Sequence, residues 1–141
     1  MSAVSGVNQT IIDAGGLTDQ LARGLIDGRV KVCLDSYEAS TLVSGSTIKL
    51  FGALPAGAKI VEMIIDFDAL GSATIDVGDS NDADRYISAD SVSSAGISHI
   101  ENINGRGYVI GTTAGDNQIL ITTGSASISG TIKAAVLYTQ D

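Results

Sequence analysis

Residues 131–139 read TIKAAVLYT, and this stretch decides the fold. Ile132, Ala134, Val136 and Tyr138 fall on one side of a two-residue period. Thr131, Lys133, Ala135, Leu137 and Thr139 fall on the other. A period of two is that of a strand, whose successive side chains leave opposite faces of a sheet. The first face is wholly apolar. The second still carries Ala135 and Leu137, so this strand can pack on both sides.

The same period recurs upstream. Val61, Met63, Ile65 and Phe67 share one face; Ile60, Glu62, Ile64, Asp66 and Asp68 share the other, which starts apolar and ends acidic. Val30, Val32 and Leu34 alternate with Arg29, Lys31, Cys33 and Asp35, and predict a half-buried strand with the aliphatic side inward. Ile48 and Leu50 begin a second strand after the turn-rich residues 44–46. Leu54-Pro55-Ala56-Gly57 is a turn, because Pro55 presets φ and Gly57 accepts a positive one. Ala73, Ile75 and Val77 give a short strand, and Tyr86-Ile87 begin another. Residues 88–106 form a long connection with a short strand around Ile97–Ile100. Tyr108–Ile110 and Ile119–Thr122 give two more strands, with Gly115-Asp116-Asn117 as the hairpin turn between them. About eight strands spaced by Gly, Ser and Asp turns predict an all-β fold. It is an antiparallel β-sandwich, with the eight-stranded jelly roll first and an immunoglobulin-like topology as the alternative. No repeat of 20–50 residues occurs, which argues against solenoids and propellers.

The first 28 residues differ. They are rich in Gly, Asp and small residues. Leu17, Leu21 and Leu25 recur at a spacing of four, with Thr18 as N-cap and Gly28 as stop, so a short helix or an extended arm is expected. So short a helix is unstable alone in water. Its apolar residues Ile11, Ile12, Leu17, Leu21, Leu25 and Ile26 therefore need cover, from the chain's own sheet or from a partner, and are the candidate partner contacts. The expected organisation is an arm over 1–28 and one β domain over 29–141.

Composition excludes several functions. The chain has 141 residues, 44% hydrophobic and 17% charged, too apolar for disorder. With no Trp and 4% aromatics, aliphatic side chains must fill a thin core. A net charge of −8 argues against nucleic acid and against anionic membrane surfaces. It suits docking on a basic patch. No apolar run reaches the ~20 residues of a membrane-spanning helix. The first ten residues lack the plan of a signal peptide. Cys33 is the only cysteine, so no disulfide forms within the chain.

Tests for chemistry come out empty. His99 is the only histidine, too few for the multi-histidine metal sites of some jelly rolls. In residues 52–59, GALPAGAK, the lysine does not directly follow the second glycine and Ile60 stands where Ser or Thr is needed, so this is a turn and not a phosphate loop. No Gly-x-Ser-x-Gly elbow occurs, and Ser125 and Ser129 lack a neighbouring histidine. Residues 76–87, DVGDSNDADRYI, concentrate aspartate. Counted as an EF-hand from Asp79, position 5 is Ala83 and position 6 is Asp84; counted from Asp82, they are Tyr86 and Ile87. Neither register fits. A looser calcium site from Asp79, Asn81, Asp82 and Asp84 stays open, against a solvated connection between two strands. No catalytic residue, cofactor or dedicated metal site is expected.

The run LPAGAKIVEMIIDFDALGSATIDVGDSNDADRYI (54–87) resembles small structural proteins of tailed-phage virion modules. The matching positions are Leu54, Pro55, Gly57, Ala58, Leu70, Gly71, Val77, Gly78, Asp82, Asp84 and Tyr86. The resemblance narrows to the jelly-roll capsid decoration, or cement, proteins of short-tailed bacteriophages, alike in size and strand number. It covers about a quarter of the chain. It implies a virion protein made in the bacterial cytoplasm and placed on the outer capsid surface. There it would bind the major capsid protein and bridge neighbouring subunits against internal pressure, itself a symmetric oligomer, a homodimer first and a trimer second. A tail- or fibre-associated virion protein and a lectin-like binding module are the other readings, the latter poorly served by so few aromatics.

Overall fold

A computed structural model describes residues 29–140. The short helix or extended arm expected within residues 1–28, and the candidate contacts Ile11, Ile12, Leu17, Leu21, Leu25 and Ile26, lie outside the described residues. Eight strands follow in order: β1 (Val30–Leu42), β2 (Thr47–Leu50), β3 (Lys59–Phe67), β4 (Thr74–Gly78), β5 (Ile87–Ser91), β6 (Gly96–His99), β7 (Ile119–Gly124) and β8 (Ile128–Thr139). They form two four-stranded antiparallel sheets, ordered β1-β8-β3-β6 and β2-β7-β4-β5. First pairs with last, second with seventh, third with sixth and fourth with fifth. This nested pairing is the jelly roll.

β8 lies as its alternation predicts. Ile132, Ala134 and Val136 enter the core with Met63, Ile65 and Phe67 of β3, against Ile48 and Leu50, Ile75 and Val77, and Ile119 and Ile121 of the other sheet. Each buried aliphatic side chain contributes about 1.5–3 kcal/mol.

Three expectations are corrected. In β1 the aliphatic side faces out: Val30, Val32 and Leu34 are 50%, 55% and 77% exposed, while Cys33 and Tyr37 pack on the core. The register with β8 sets this. Cys33 stands opposite Val136 and Tyr37 opposite Ile132, both core residues, and directly opposed residues share a face. In β3 a register shift between Ile60 and Glu62 breaks the alternation, so Ile60 is buried and Val61 exposed. Third, residues 108–110 are not a strand of a hairpin with β7. Val109 makes an isolated bridge with Lys59, and Tyr108 and Ile110 exchange backbone hydrogen bonds with Ile60, Ala58 and Gly57. β7 instead lies between β2 and β4, where its alternating Ile119, Ile121 and Thr123 are buried.

Left-handed backbone marks places where strands bend. Thr41, Phe51 and Ala89 have φ of 50°, 63° and 50°. Each costs about 1–2 kcal/mol for a residue with a Cβ. Each has its N–H held by a side chain: Ser129 Oγ, Asp35 Oδ2 and Asp76 Oδ1 respectively.

Candidate functional site

The acidic stretch after β4 folds into a compact knot. Gly78 ends the strand where a Cβ would stand 2.1 Å from the Asp82 carbonyl oxygen. The turn closes through the Asp79 N–H to that same carbonyl, and Asp79 Oδ1 accepts the N–H groups of Asn81 and Asp82, each at 2.9 Å. Arg85 Nε then donates to Asp79 Oδ2 at 2.6 Å. The expectation of a solvated connection is therefore corrected for Asp79, which is 1% exposed and buried beneath its own loop. A carboxylate can be buried there because two backbone amides and a guanidinium take its lone pairs.

The knot reaches a distant segment. The Arg85 guanidinium carbon lies 4.0 Å from the centre of the Tyr108 ring, and its Nη2 lies 4.0 Å from Asp116 Oδ1. Tyr108 donates its hydroxyl to Asp116 Oδ1 at 2.6 Å, and Gly111 donates its N–H to Asp116 Oδ2 at 2.9 Å. The Tyr108 hydrogen bond, with the Gly111 amide and Arg85, holds the Asp116 carboxyl below its ordinary range against the opposing effect of burial. Burial, then the bond to Asp116, pushes Tyr108 up to about 12. The Asp79 hydrogen bond raises Arg85 further. Tyr86 is buried edge-on to Tyr108, with ring centres 6.4 Å apart, and burial raises it strongly.

This arrangement is a clamp between two loops, with one guanidinium set between the carboxylates of Asp79 and Asp116. It does not gather Asp79, Asn81, Asp82 and Asp84 around one point. Asp79 faces Arg85, the Asn81 side-chain amide donates to the Ala114 carbonyl, and Asp84 Oδ2 accepts from Ser88 Oγ. Among the described residues no group of three or more His, Cys, Asp or Glu is placed to hold a metal. His99 is exposed on β6, with Nδ1 3.9 Å from Glu62 Oε2. Burial pushes the Glu62 carboxyl up, but the amides of Met63 and Ile100 and the Arg106 guanidinium together hold it below its ordinary value.

The feature that stands out as a surface is the outer face of the β1-β8-β3-β6 sheet. Register places Leu34, Ala135, Ile64 and His99 in one row across it, and Val32, Leu137 and Glu62 in the next. Ile97 is also exposed there. Its charges stand near opposites: Asp66 faces Lys133 across the strands, and Arg106 holds Glu62 at 2.9 Å. A shallow depression of about 420 Å³ opens beside Leu34, Asp35, Ser36, Lys133 and Ala134. Reading alternation alone missed this surface, because it assigned the aliphatic side of β1 to the core. The signal was present in the two-sided apolar character of β8.

No protein-family pattern and no curated protein matches the sequence. Solved structures do match. A chain of the "Cyanophage Pam1 capsid asymmetric unit" superposes with a TM-score of 0.69 at 23% identity, over 82% of this chain and 88% of that one. A chain of the "Capsid of Ralstonia phage GP4" superposes with a TM-score of 0.62 at 23% identity, over 81% and 86%. At these identities the likeness is one of fold, and the eight-stranded jelly roll of residues 29–140 is the fold that this chain shares with chains of two phage capsids.

Proposed function

We propose that this protein is a structural component of a phage virion, a decoration or cement protein of a short-tailed phage. It binds the outer surface of the capsid and bridges neighbouring copies of the major capsid protein. The observation that carries the reading is the match to the Pam1 capsid chain over 82% of this chain. A rigid β body, a weakly charged apolar sheet face and an arm of about 28 residues are the parts that such a role needs. A net charge of −8 favours contact with basic patches of a shell. On this reading the arm supplies the capsid contacts, through Ile11, Ile12, Leu17, Leu21, Leu25 and Ile26, and residues 29–141 are one domain that works without catalysis or cofactor. Self-association, as a homodimer first, would let one unit touch two shell subunits.

The test is co-sedimentation with expanded shells assembled from the major capsid protein of the same genome. Saturable binding at a fixed ratio to shell subunits, with raised shell stability, is expected. Failure to bind expanded shells overturns the reading.

A further inference from the structure

β1 is an edge strand of an unusual kind. Among the described residues β8 pairs along one side of it and no strand lies along the other. Natural edges are guarded by short length, proline, bulges or charges, inward-pointing ones included; on β1 the inner-side charges are Lys31 and Asp35, which are of opposite sign. β1 runs for 13 residues, holds no proline, and keeps unbroken register from Val30 to Ala39; its irregularity lies beyond, between Ala39 and Leu42. Three exposed aliphatic side chains, Val30, Val32 and Leu34, stand along this edge on the outer face. On the inner side Lys31, Cys33 and Asp35 alternate with them. Phe51, whose N–H donates to Asp35 Oδ2 at 2.9 Å, stands beside the far end of this stretch.

We infer that β1 pairs antiparallel with β1 of a second copy about a two-fold axis at Cys33, joining two four-stranded sheets into one of eight. An axis normal to the sheet keeps each face on its own side, so opposed residues must be an even number apart, as both sides of the strand demand. With the axis at Cys33, Val32 meets Leu34 of the second copy on the outer face. On the inner side Lys31 meets Asp35 of the second copy, and Cys33 meets Cys33. Moving the axis to Val32 sets Lys31 against Cys33; moving it to Leu34 sets Asp35 against Cys33. An axis at Val32 also brings Arg29 to Asp35 but leaves Lys31 against Cys33; the Cys33 axis is the one that sets Lys31 against Asp35, the two charges between Val30 and Asp35. Within its own chain the Lys31 ammonium donates to Gln140 Oε1 at 3.4 Å, and Asp35 accepts the N–H groups of Ser36 and Phe51, so the pairing adds a partner to each charge. Main-chain hydrogen bonds supply attraction, and the alternate side chains supply register.

The inference rests on the self-association in the proposed function and gives it a surface. It is independent of shell binding: a monomer that still co-sediments with shells refutes the pairing alone, and a dimer that does not refutes the capsid reading alone. The full chain is followed by sedimentation velocity across concentration, then oxidised mildly with copper–phenanthroline in air. Directly opposed residues have Cα atoms about 4.5–5.5 Å apart, within the span of a disulfide. A reversible dimer is expected, captured as a covalent dimer that Cys33→Ser abolishes. Leu34→Asp and Lys31→Asp should each weaken the dimer at least tenfold, with urea midpoints unchanged at concentrations where the protein is monomeric. A monomer at every concentration, a dimer that Cys33 does not capture, or a dimer indifferent to Leu34→Asp overturns the inference. So does a monomer that dimerises only when residues 1–28 are deleted, because the arm then covers this edge.

Discussion

Arg85 Nε donates to Asp79 Oδ2 at 2.6 Å, and the Asp79 side chain has no exposure to solvent. A buried carboxylate six residues from its cation closes the loop between β4 and β5. The same guanidinium lies over Tyr108, so one side chain links two loops that are distant in sequence.

Removing this cation leaves an uncompensated buried charge. Arg85→Ala should destabilise the fold by about 3–5 kcal/mol. Arg85→Lys should recover part of that, since it restores the charge without the planar fork. Urea denaturation at neutral pH measures both. A loss under ~1 kcal/mol for Arg85→Ala would mean that the clamp does not hold the loop.

Acid should loosen the molecule. Asp116 and Glu62 have folded values held below their ordinary 3.8 and 4.5. Carboxyls lowered on folding contribute stability above their unfolded values, and it is lost as pH falls through the folded ones. Stability should therefore decline from about pH 4.5 downward. Asp116→Asn should flatten part of that decline while costing about 1–3 kcal/mol at pH 7. Urea midpoints between pH 2.5 and 6 give the comparison.

Alkali probes three tyrosines, two of them at the clamp and Tyr138 on β8. Tyr108 is raised to about 12, and Tyr86 and Tyr138 are raised as well. Groups raised on folding favour the protonated native state, whose stability is lost as pH climbs through the folded value. Phenolate absorbance should lag in the native protein and return toward the free-tyrosine value of about 10 in urea. Tyr108→Phe should remove part of the lag.

The Tyr86 hydroxyl is buried without a hydrogen-bond partner among the described residues. Tyr86→Phe should then be neutral or stabilising, by up to about 1 kcal/mol, because no bond is lost and one buried polar group disappears. A loss above ~1 kcal/mol in thermal unfolding would reveal a hydrogen bond to that oxygen.

Gly78 and Gly107 separate two reasons for glycine. A Cβ on Gly78 would meet the Asp82 carbonyl oxygen at 2.1 Å, while Gly107, at φ +84°, has open space. Gly107→Ala should cost about 1–2 kcal/mol, the left-handed penalty alone. Gly78→Ala should cost clearly more, because backbone must move, and should loosen the clamp. Hydrogen exchange at the Asp79 and Asp82 amides reports the loosening.

Much of the fold was legible in the chain. The two-residue period of residues 131–139, the turn chemistry and the near absence of helical spacing after residue 28 determine an antiparallel sandwich of about eight strands. Each of these signals is local, and strand formation obeys local rules. Only the tertiary structure decided which side of β1 faces inward, because an edge strand takes its face from the register of β8 and not from its own hydrophobicity. Only the tertiary structure freed residues 108–110 from the hairpin, since their hydrogen bonds go to residues 57–60, about fifty positions earlier. The acidic stretch shows the same division. Its spacing already ruled out an EF-hand. That Asp79 is buried could not be read there, because the turn must fold before the amides of Asn81 and Asp82 and the Arg85 guanidinium converge on its carboxylate, with Arg85 in turn packed on Tyr108 more than twenty residues on. Burial of a charge depends on the neighbours that compensate it, and those neighbours are brought together by the fold.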